Sequence, residues 1–216
     1  MVYLQIVDPR STGVNALSDH QSPAPKRTYQ KTKRALDEWR TRERIIDAAE
    51  YLHGSIGPAR TTVTAVADRA GVTRATVYRH FANEESLFVA CSRQWLSRQQ
   101  LPQPEAWSVI EDPIELLRTG LMDIYRFYRR AGQMMAHIHR DVDAVPAVVV
   151  AARRAREQQW LNTLLAPQPG HRRKVVRAAV THATTFTTWQ SLCGELGLSD
   201  RSAVQLMVGM VERVSR

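Results

Sequence analysis

Residues 62–81, Thr-Val-Thr-Ala-Val-Ala-Asp-Arg-Ala-Gly-Val-Thr-Arg-Ala-Thr-Val-Tyr-Arg-His-Phe, constrain this chain more than any other stretch. They read as two short helices joined by one tight turn. Thr62 is a good N-cap, because its hydroxyl accepts from a free backbone N–H one turn on. Val63 to Ala70 then form about two helical turns. Val66 and Ala70 share a face, with Ala67 beside them. Gly71 ends the helix, where a positive φ is cheap only without a Cβ. Val72 follows as an apolar plug, and Thr73 caps a second helix running from Arg74 to about Phe81. The spacing of Ala67, Gly71 and Val77 lets the two helices cross closely, at the angle of a helix-turn-helix.

Val77 and Phe81 face inward and leave Arg74, Ala75, Thr76, Tyr78 and Arg79 on the outer faces. Arginine bonds guanine bidentately, and an Ala or Thr methyl touches a thymine methyl. No Asp or Glu occurs from 69 to 83. An ordinary helical hairpin with a solvated second helix would usually carry one. The acid-free face suits a groove lined by phosphates.

Residues 42–90 resemble the DNA-binding domain of the tetracycline-repressor (TetR) family of bacterial regulators. The residues that carry the resemblance are Ile45-Ile46-Asp47-Ala48-Ala49, Thr61-Thr62-Val63, Ala70-Gly71-Val72-Thr73, Thr76-Val77-Tyr78-Arg79-His80-Phe81 and Leu87. The resemblance implies that Thr62, Thr64, Thr73, Thr76, Tyr78 and His80 hold phosphates or base edges. It implies that Arg74, Ala75 and Arg79 read sequence. The chain departs from the family at Glu84, where a phosphate-gripping Lys is usual. Asn83 and Glu84 instead read as a helix start, with acid favoured by the helix dipole.

Net charge is +9 over 216 residues. Such a balance favours an anionic partner without naming one. Residues 45–90 carry 4 basic and 5 acidic groups, so charge alone does not locate the reading helix. Lys26, Arg27, Lys31, Lys33, Arg34, Arg40, Arg42 and Arg44 crowd ahead of it. Lys31, Lys33 and Arg34 are the arm residues expected to meet DNA, since basic arms of other helical readers enter the adjacent minor groove. The competing reading of this arm is a solubilising tail.

Cys91 and Cys193 make neither a disulfide framework nor a metal spacing. No metal site or cofactor is expected, and a reducing cytoplasm fits. No stretch of about 18 apolar residues exists to span a membrane. Residues 1–35, with Pro9, Gly13, Pro23 and Pro25, read as a disordered basic arm. The first helix is expected from about Ala35 to His53, stopped by Gly54. A fourth, with Leu87, Cys91 and Trp95 on one face, runs from about Glu84 to Gln99.

Residues 91–216 read as a second helical domain, which makes the fold class all-α. It comprises a three-helix DNA-binding head at 36–90 and a larger effector-binding and dimerisation domain. Pro113 opens a helix striped by Leu117, Leu121, Ile124 and Tyr128. Gly132 is expected to interrupt it, with a short helix from Met134 to Arg140, and Val145–Leu165 form another. Val175, Ala179, His182, Phe186, Trp189, Cys193 and Leu196 recur at alternating steps of four and three, a sustained packing seam. The last helix carries Ala203, Leu206, Met207, Met210, Val211 and Val214, an apolar arc wider than one neighbour needs. The expected dimer interface is Phe186, Trp189, Cys193, Ala203, Met207, Met210, Val211 and Val214, with intrachain core as the alternative. TetR-like proteins similarly dimerise through two such helices from each subunit.

The resemblance also implies a small-molecule pocket. Candidates are Trp95, Tyr125, Tyr128, Met134, His137, Trp160, Phe186 and Trp189, with Arg126 or Arg130 to meet an acid group. His182, on the apolar seam, reads as an interior histidine. The function these features point to is a homodimeric repressor. It would bind double-stranded DNA at an inverted repeat and be released by a small, largely apolar ligand. A DNA-binding regulator without a small-molecule effector, either protein-docked or an activator, is the alternative. A helical enzyme is disfavoured because no phosphate loop, metalloprotease motif, nucleophile elbow or acid pair is present.

Overall fold

The computed structural model describes the backbone of residues 25–216 and the side chains of residue 30 and residues 32–216. Among the described residues the regular structure is helical throughout. The chain divides into two units at Trp39/Arg40, and the second, Arg40–Arg216, is compact. Helix α1 spans Pro25–Ser55. It therefore starts ten residues earlier than expected, and residues 25–35 are helical rather than an irregular arm. Nothing between Lys26 and Arg34 breaks a helix, and Pro25 is tolerated in a first turn. The lead-in before Pro25 lies outside the described residues. Residues 32–39 are exposed, Leu36 and Trp39 included.

The second unit contains two hydrophobic cores. The smaller joins Ile45, Ala49, Val66, Ala67, Val77, Phe81, Leu87 and Cys91. It is built by α1, α2 (Val63–Ala70), α3 (Arg74–His80) and α4 (Glu84–Ser97). Gly54 does not stop α1. The turn is made at Gly57, whose φ of 93° is open only to a residue without a Cβ.

The larger core is organised by α6 (Pro113–Arg140), which buries Leu117, Leu121, Ile124, Tyr125, Tyr128 and Met135. Asp112 caps it by accepting from the backbone N–H groups of Ile114 and Glu115. The expected interruption at Gly132 is absent. A Gly costs a helix interior only about 1 kcal/mol, and here the space beside it holds the Trp189 ring, 3.1 Å from where a Cβ would stand. Short α5 (Pro104–Trp107) buries Trp107, whose indole N–H donates to Asp123 of α6 at 2.9 Å. Helices α7 (Ala147–Leu165), α8 (Lys174–Thr184) and α10 (Asp200–Ser215) complete the bundle around α6.

The seam from Val175 to Leu196 is not one helix. α8 ends at Thr184, Thr185 is extended, and α9 (Phe186–Trp189) restarts the chain before a π turn at Gln190–Glu195. The cause is competition for backbone groups. The hydroxyls of Thr184 and Thr185 donate to the carbonyls of Thr181 and His182, as threonines readily do. The orphan carbonyls of Ala183 and Thr184 accept from the Tyr125 and Tyr128 hydroxyls at 3.0 and 2.9 Å. Burial pushes both phenols up from their ordinary pKa, so they remain donors. The break turns α8 so that Val176, Ala179, Val180 and Ala183 face inward while Val175 and His182 are exposed. His182 is thus a surface residue, its ring meeting the Thr188 hydroxyl at 3.2 Å.

The expected dimer residues Phe186, Trp189, Cys193, Ala203, Met207 and Val211 are buried within this single chain. Met210 and Val214 are half-buried against the same core. Apart from Leu206, the wide apolar arc of α10 is covered by α6 and α8, so these eight residues pack within the chain.

Replacing Tyr128 by Phe leaves the Thr184 carbonyl without its donor in a buried site. The expected loss is about 1–3 kcal/mol of unfolding free energy, measured by urea denaturation. A loss indistinguishable from zero would show that the hydroxyl does not hold the α8 break.

Candidate nucleic-acid interface and ligand cavity

The geometry of α2 and α3 follows from their caps. The Thr62 hydroxyl accepts from Ala65 N–H at 3.1 Å. Gly71 adopts φ 65°, ψ 42°, and its N–H bonds back to the Asp68 carbonyl while Val72 N–H reaches the Ala67 carbonyl at 3.0 Å. That pair of bonds closes a helix through a left-handed residue. The Thr73 hydroxyl accepts from Thr76 N–H at 3.2 Å and meets the Thr76 hydroxyl at 3.0 Å. Ala67, Ala70 and Val77 are buried where the two helices cross.

The outer face of α3 then carries Arg74, Ala75, Tyr78 and Arg79, all exposed, with Thr76 and His80 half-buried. Thr62 and Thr64 are exposed at the start of α2, and Thr73 at the start of α3. Residues 62–80 of the expected interface therefore come together around one short exposed helix. A helix of this kind fits a major groove, and its arginines offer paired donors to guanine edges. Lys33 and Arg34 are exposed on α1 within the first unit, and the Lys31 side chain lies outside the described ones. Arg42 packs its guanidinium over the Phe81 ring at 4.7 Å. Asn83 caps α4 through reciprocal bonds with Ser86, and exposed Glu84 and Glu85 occupy the first turn. Acid there is stabilised by the helix dipole.

A joint between the two cores was not legible in the sequence. The Arg140 guanidinium, at the end of α6, donates to the Ile56 carbonyl at 3.0 Å and to the Asp141 carboxylate at 2.7 and 2.8 Å. Asp141 also accepts from Ala59 N–H at 3.2 Å. The Arg140 guanidinium, helped by that N–H, holds the Asp141 carboxyl down to about 2. A Cβ on Gly57 would collide with both Arg140 and Asp141. Beside this joint His137 Nδ1 meets the His53 carbonyl at 3.3 Å. Arg98, just past the end of α4, holds Asp47 at 3.1 Å and Glu50 at 3.2 Å on α1. The partners lie up to 84 positions apart, and no local pattern links them.

Of the expected pocket residues, Tyr125, Tyr128, Trp160, Phe186 and Trp189 are core. Tyr128 packs edge-on against Phe186 at 5.3 Å between ring centres, and Phe127 against Trp160 at 5.8 Å. His137 lies at the joint. Arg126 pairs with Asp123, and Arg130 donates to the Gln100 carbonyl. Only Trp95 and Met134 line the apolar cavity of about 300 Å³ that lies among α1, α4, α6 and α7. His53 and Phe88 belong to the same wall, their rings 4.4 Å apart. Burial brings the His53 imidazole down to about 4 and pushes the neighbouring Cys91 thiol up to about 12. Among the described residues no cluster of metal-ligating side chains forms, and no helix is long and apolar enough to cross a membrane.

Gly57→Ala combines a Gly-only backbone region with the collision above. The expected cost is about 1–3 kcal/mol from the backbone alone, with faster amide exchange at residues 56–61. Unchanged exchange and stability would show that the turn relaxes freely. For His53 the unfolded chain binds more protons than the folded one between its ordinary 6.5 and about 4. Stability therefore falls as pH drops through that window. Melting temperatures of the parent and of His53→Gln, followed from pH 7 to 4, should show a shallower decline in the variant. Parallel curves would remove His53 as a source.

A sequence profile of the bacterial regulatory proteins of the tetR family matches residues 45–91. The "Probable acrEF/envCD operon repressor" of Escherichia coli strain K12 is 34% identical over 84 residues, 38% of each chain. "HTH-type transcriptional regulator TtgR" of Pseudomonas putida is 34% identical over 91 residues, 39% of this chain and 41% of that protein. The match thus spans about two fifths of these relatives' length. A crystal structure of a TetR-like transcriptional regulator from Rhodococcus sp. RHA1 shares the fold with a TM-score of 0.57 at 19% identity, covering 81% of this chain and 94% of that one. Residues 45–91 are thus similar to the DNA-binding region of the tetR family of bacterial regulatory proteins.

Proposed function

We propose that this protein is a homodimeric, ligand-responsive transcriptional repressor that binds an inverted-repeat operator in double-stranded DNA through α3. The observation that carries the reading is the outward, acid-free face of α3, held by the caps at Thr62, Gly71 and Thr73. The relatives' names, one an operon repressor and one a transcriptional regulator, support it. In this reading residues 36–90 form the head and residues 91–216 the effector and dimerisation domain. Arg74, Ala75 and Arg79 read bases, and Thr62, Thr64, Thr73, Thr76, Tyr78 and His80 position the backbone. Lys31, Lys33 and Arg34 supply further cations.

The dimer surface moves from the buried seam to the exposed sides of α8 and α10. Val175, Ala178 and His182 share a face of α8, and Ser202, Leu206 and Gly209 share a face of α10. Val175 is 46% and Leu206 51% exposed. Small residues at 178 and 209 allow close helix approach. Two heads related by a two-fold axis require half-sites about 34–36 Å apart or a multiple of that.

The cavity among α1, α4, α6 and α7 is the effector site. His53 and Phe88 in its wall belong to helices that build the head, so an occupant bears on head placement. A ligand that favours mismatched head spacing lowers DNA affinity by its differential affinity for the two forms.

Selection of bound duplexes from a random pool should return an inverted repeat. Arg74→Ala should relax preference at one base position per half-site and cost about 1–3 kcal/mol per contact. Uniform weakening on every sequence would make Arg74 a backbone contact, and no duplex binding at low salt would end the reading. Leu206→Arg should turn a dimer into a monomer in sedimentation velocity. An unchanged dimer would place the interface elsewhere.

A further inference from the structure

The polar groups of the cavity set its ligand's chemistry. Its walls are mostly apolar, with Phe88, Trp95, Met134, Ile138 and Val149 among them. Its volume lies at the lower end for small-molecule sites, which pair an apolar lining with few polar anchors. Three arginines line it, exposed Arg93 and the more buried Arg153 and Arg156, the latter two one turn apart on α7 and the candidate anchors. Nε and Nη1 of Arg153 and Nε of Arg156 are shut off from solvent and have no hydrogen-bond partner. The Arg153 side chain is only 11% exposed.

Neither nearby carboxylate hydrogen-bonds these two guanidinium groups. Glu50 also lines the cavity, but Arg98 takes both of its oxygens at 3.2 Å. Glu157 stands 3.9 Å from Arg153 Nε, a long ion pair, and is the remaining acid for two cations. Burial draws the Arg156 guanidinium down from its ordinary value, Arg153 adds like-charge repulsion, and Glu157 opposes them. A desolvated cation without a full partner is unfavourable, and a bound anion relieves it. A planar carboxylate matches the paired donors of a guanidinium.

We propose that this cavity takes an apolar molecule bearing one carboxylate, whose oxygens pair with Arg153 and Arg156. The proposal rests on the cavity being the effector site and adds the charge and class of the effector.

The test is calorimetric titration of the full chain with two matched pairs, octanoate against 1-octanol and 4-phenylbutyrate against 4-phenylbutan-1-ol. At least one carboxylate should bind about tenfold or more tightly than its alcohol, as expected for a charge-assisted pair. Arg153→Gln and Arg156→Gln should each erase most of that preference while melting as the parent does. An alcohol that binds as tightly as its carboxylate overturns the anion assignment and leaves the effector cavity standing. A preference kept in both variants overturns the assignment to these arginines. Failure of all four probes to bind overturns the cavity reading as well. Should a variant not fold, the comparison within the parent chain still decides for or against an anion.

Discussion

The continuity of α6 is the constraint on which the rest of the second unit hangs. At 1.5 Å per residue, its 28 residues span about 42 Å. That length lets one helix serve as the spine of the larger core and still deliver Arg140 to the turn behind α1. Gly132 makes this possible because the missing Cβ admits the Trp189 ring against the helix. A break there would separate the aromatic core from the joint at Gly57. The head and the bundle are thus tied at the end of α6 by Arg140, while Arg98 at the end of α4 fastens Asp47 and Glu50 of α1.

Side-chain caps set the starts of five helices. Thr62, Thr73, Asn83, Asp112 and Ser199 each present an oxygen to free N–H groups of the helix that follows. These local bonds shape the reading helix without help from distant residues. The carbonyl end of α8 is met differently, by two tyrosine hydroxyls from α6. That solution is tertiary, and it redirects the chain so that the apolar seam of the last helices turns into the core. On α8 and α10, Val175, Ala178, Leu206 and Gly209 stay exposed, a narrower set than the seam.

The cavity follows the same logic of placement over pattern. Aromatics at helical spacing pack on one another when their helices cross, and Tyr125, Tyr128, Trp160 and Phe186 do so. The open space lies instead among α1, α4, α6 and α7, where Trp95 and Met134 meet Arg153 and Arg156. In the linear chain those arginines are two cations within a charged run, and no local pattern marks them. Only the packing of α7 closes off Nε and Nη1 of Arg153 and Nε of Arg156.

The linear order of residues was sufficient for α2, Gly71 and α3, because caps, a left-handed glycine and a period of 3.6 act within one or two turns. It was sufficient for the all-helical class and for the exposed face of α3 for the same reason. Distant chemistry decided the remainder. The unbroken α6, the break at Thr185, the inward turn of Met207 and Val211, and the Arg140–Asp141–Gly57 joint all depend on groups tens of residues apart. Burial and hydrogen-bond satisfaction are properties of the packed chain, and no local window contains the partners that supply them.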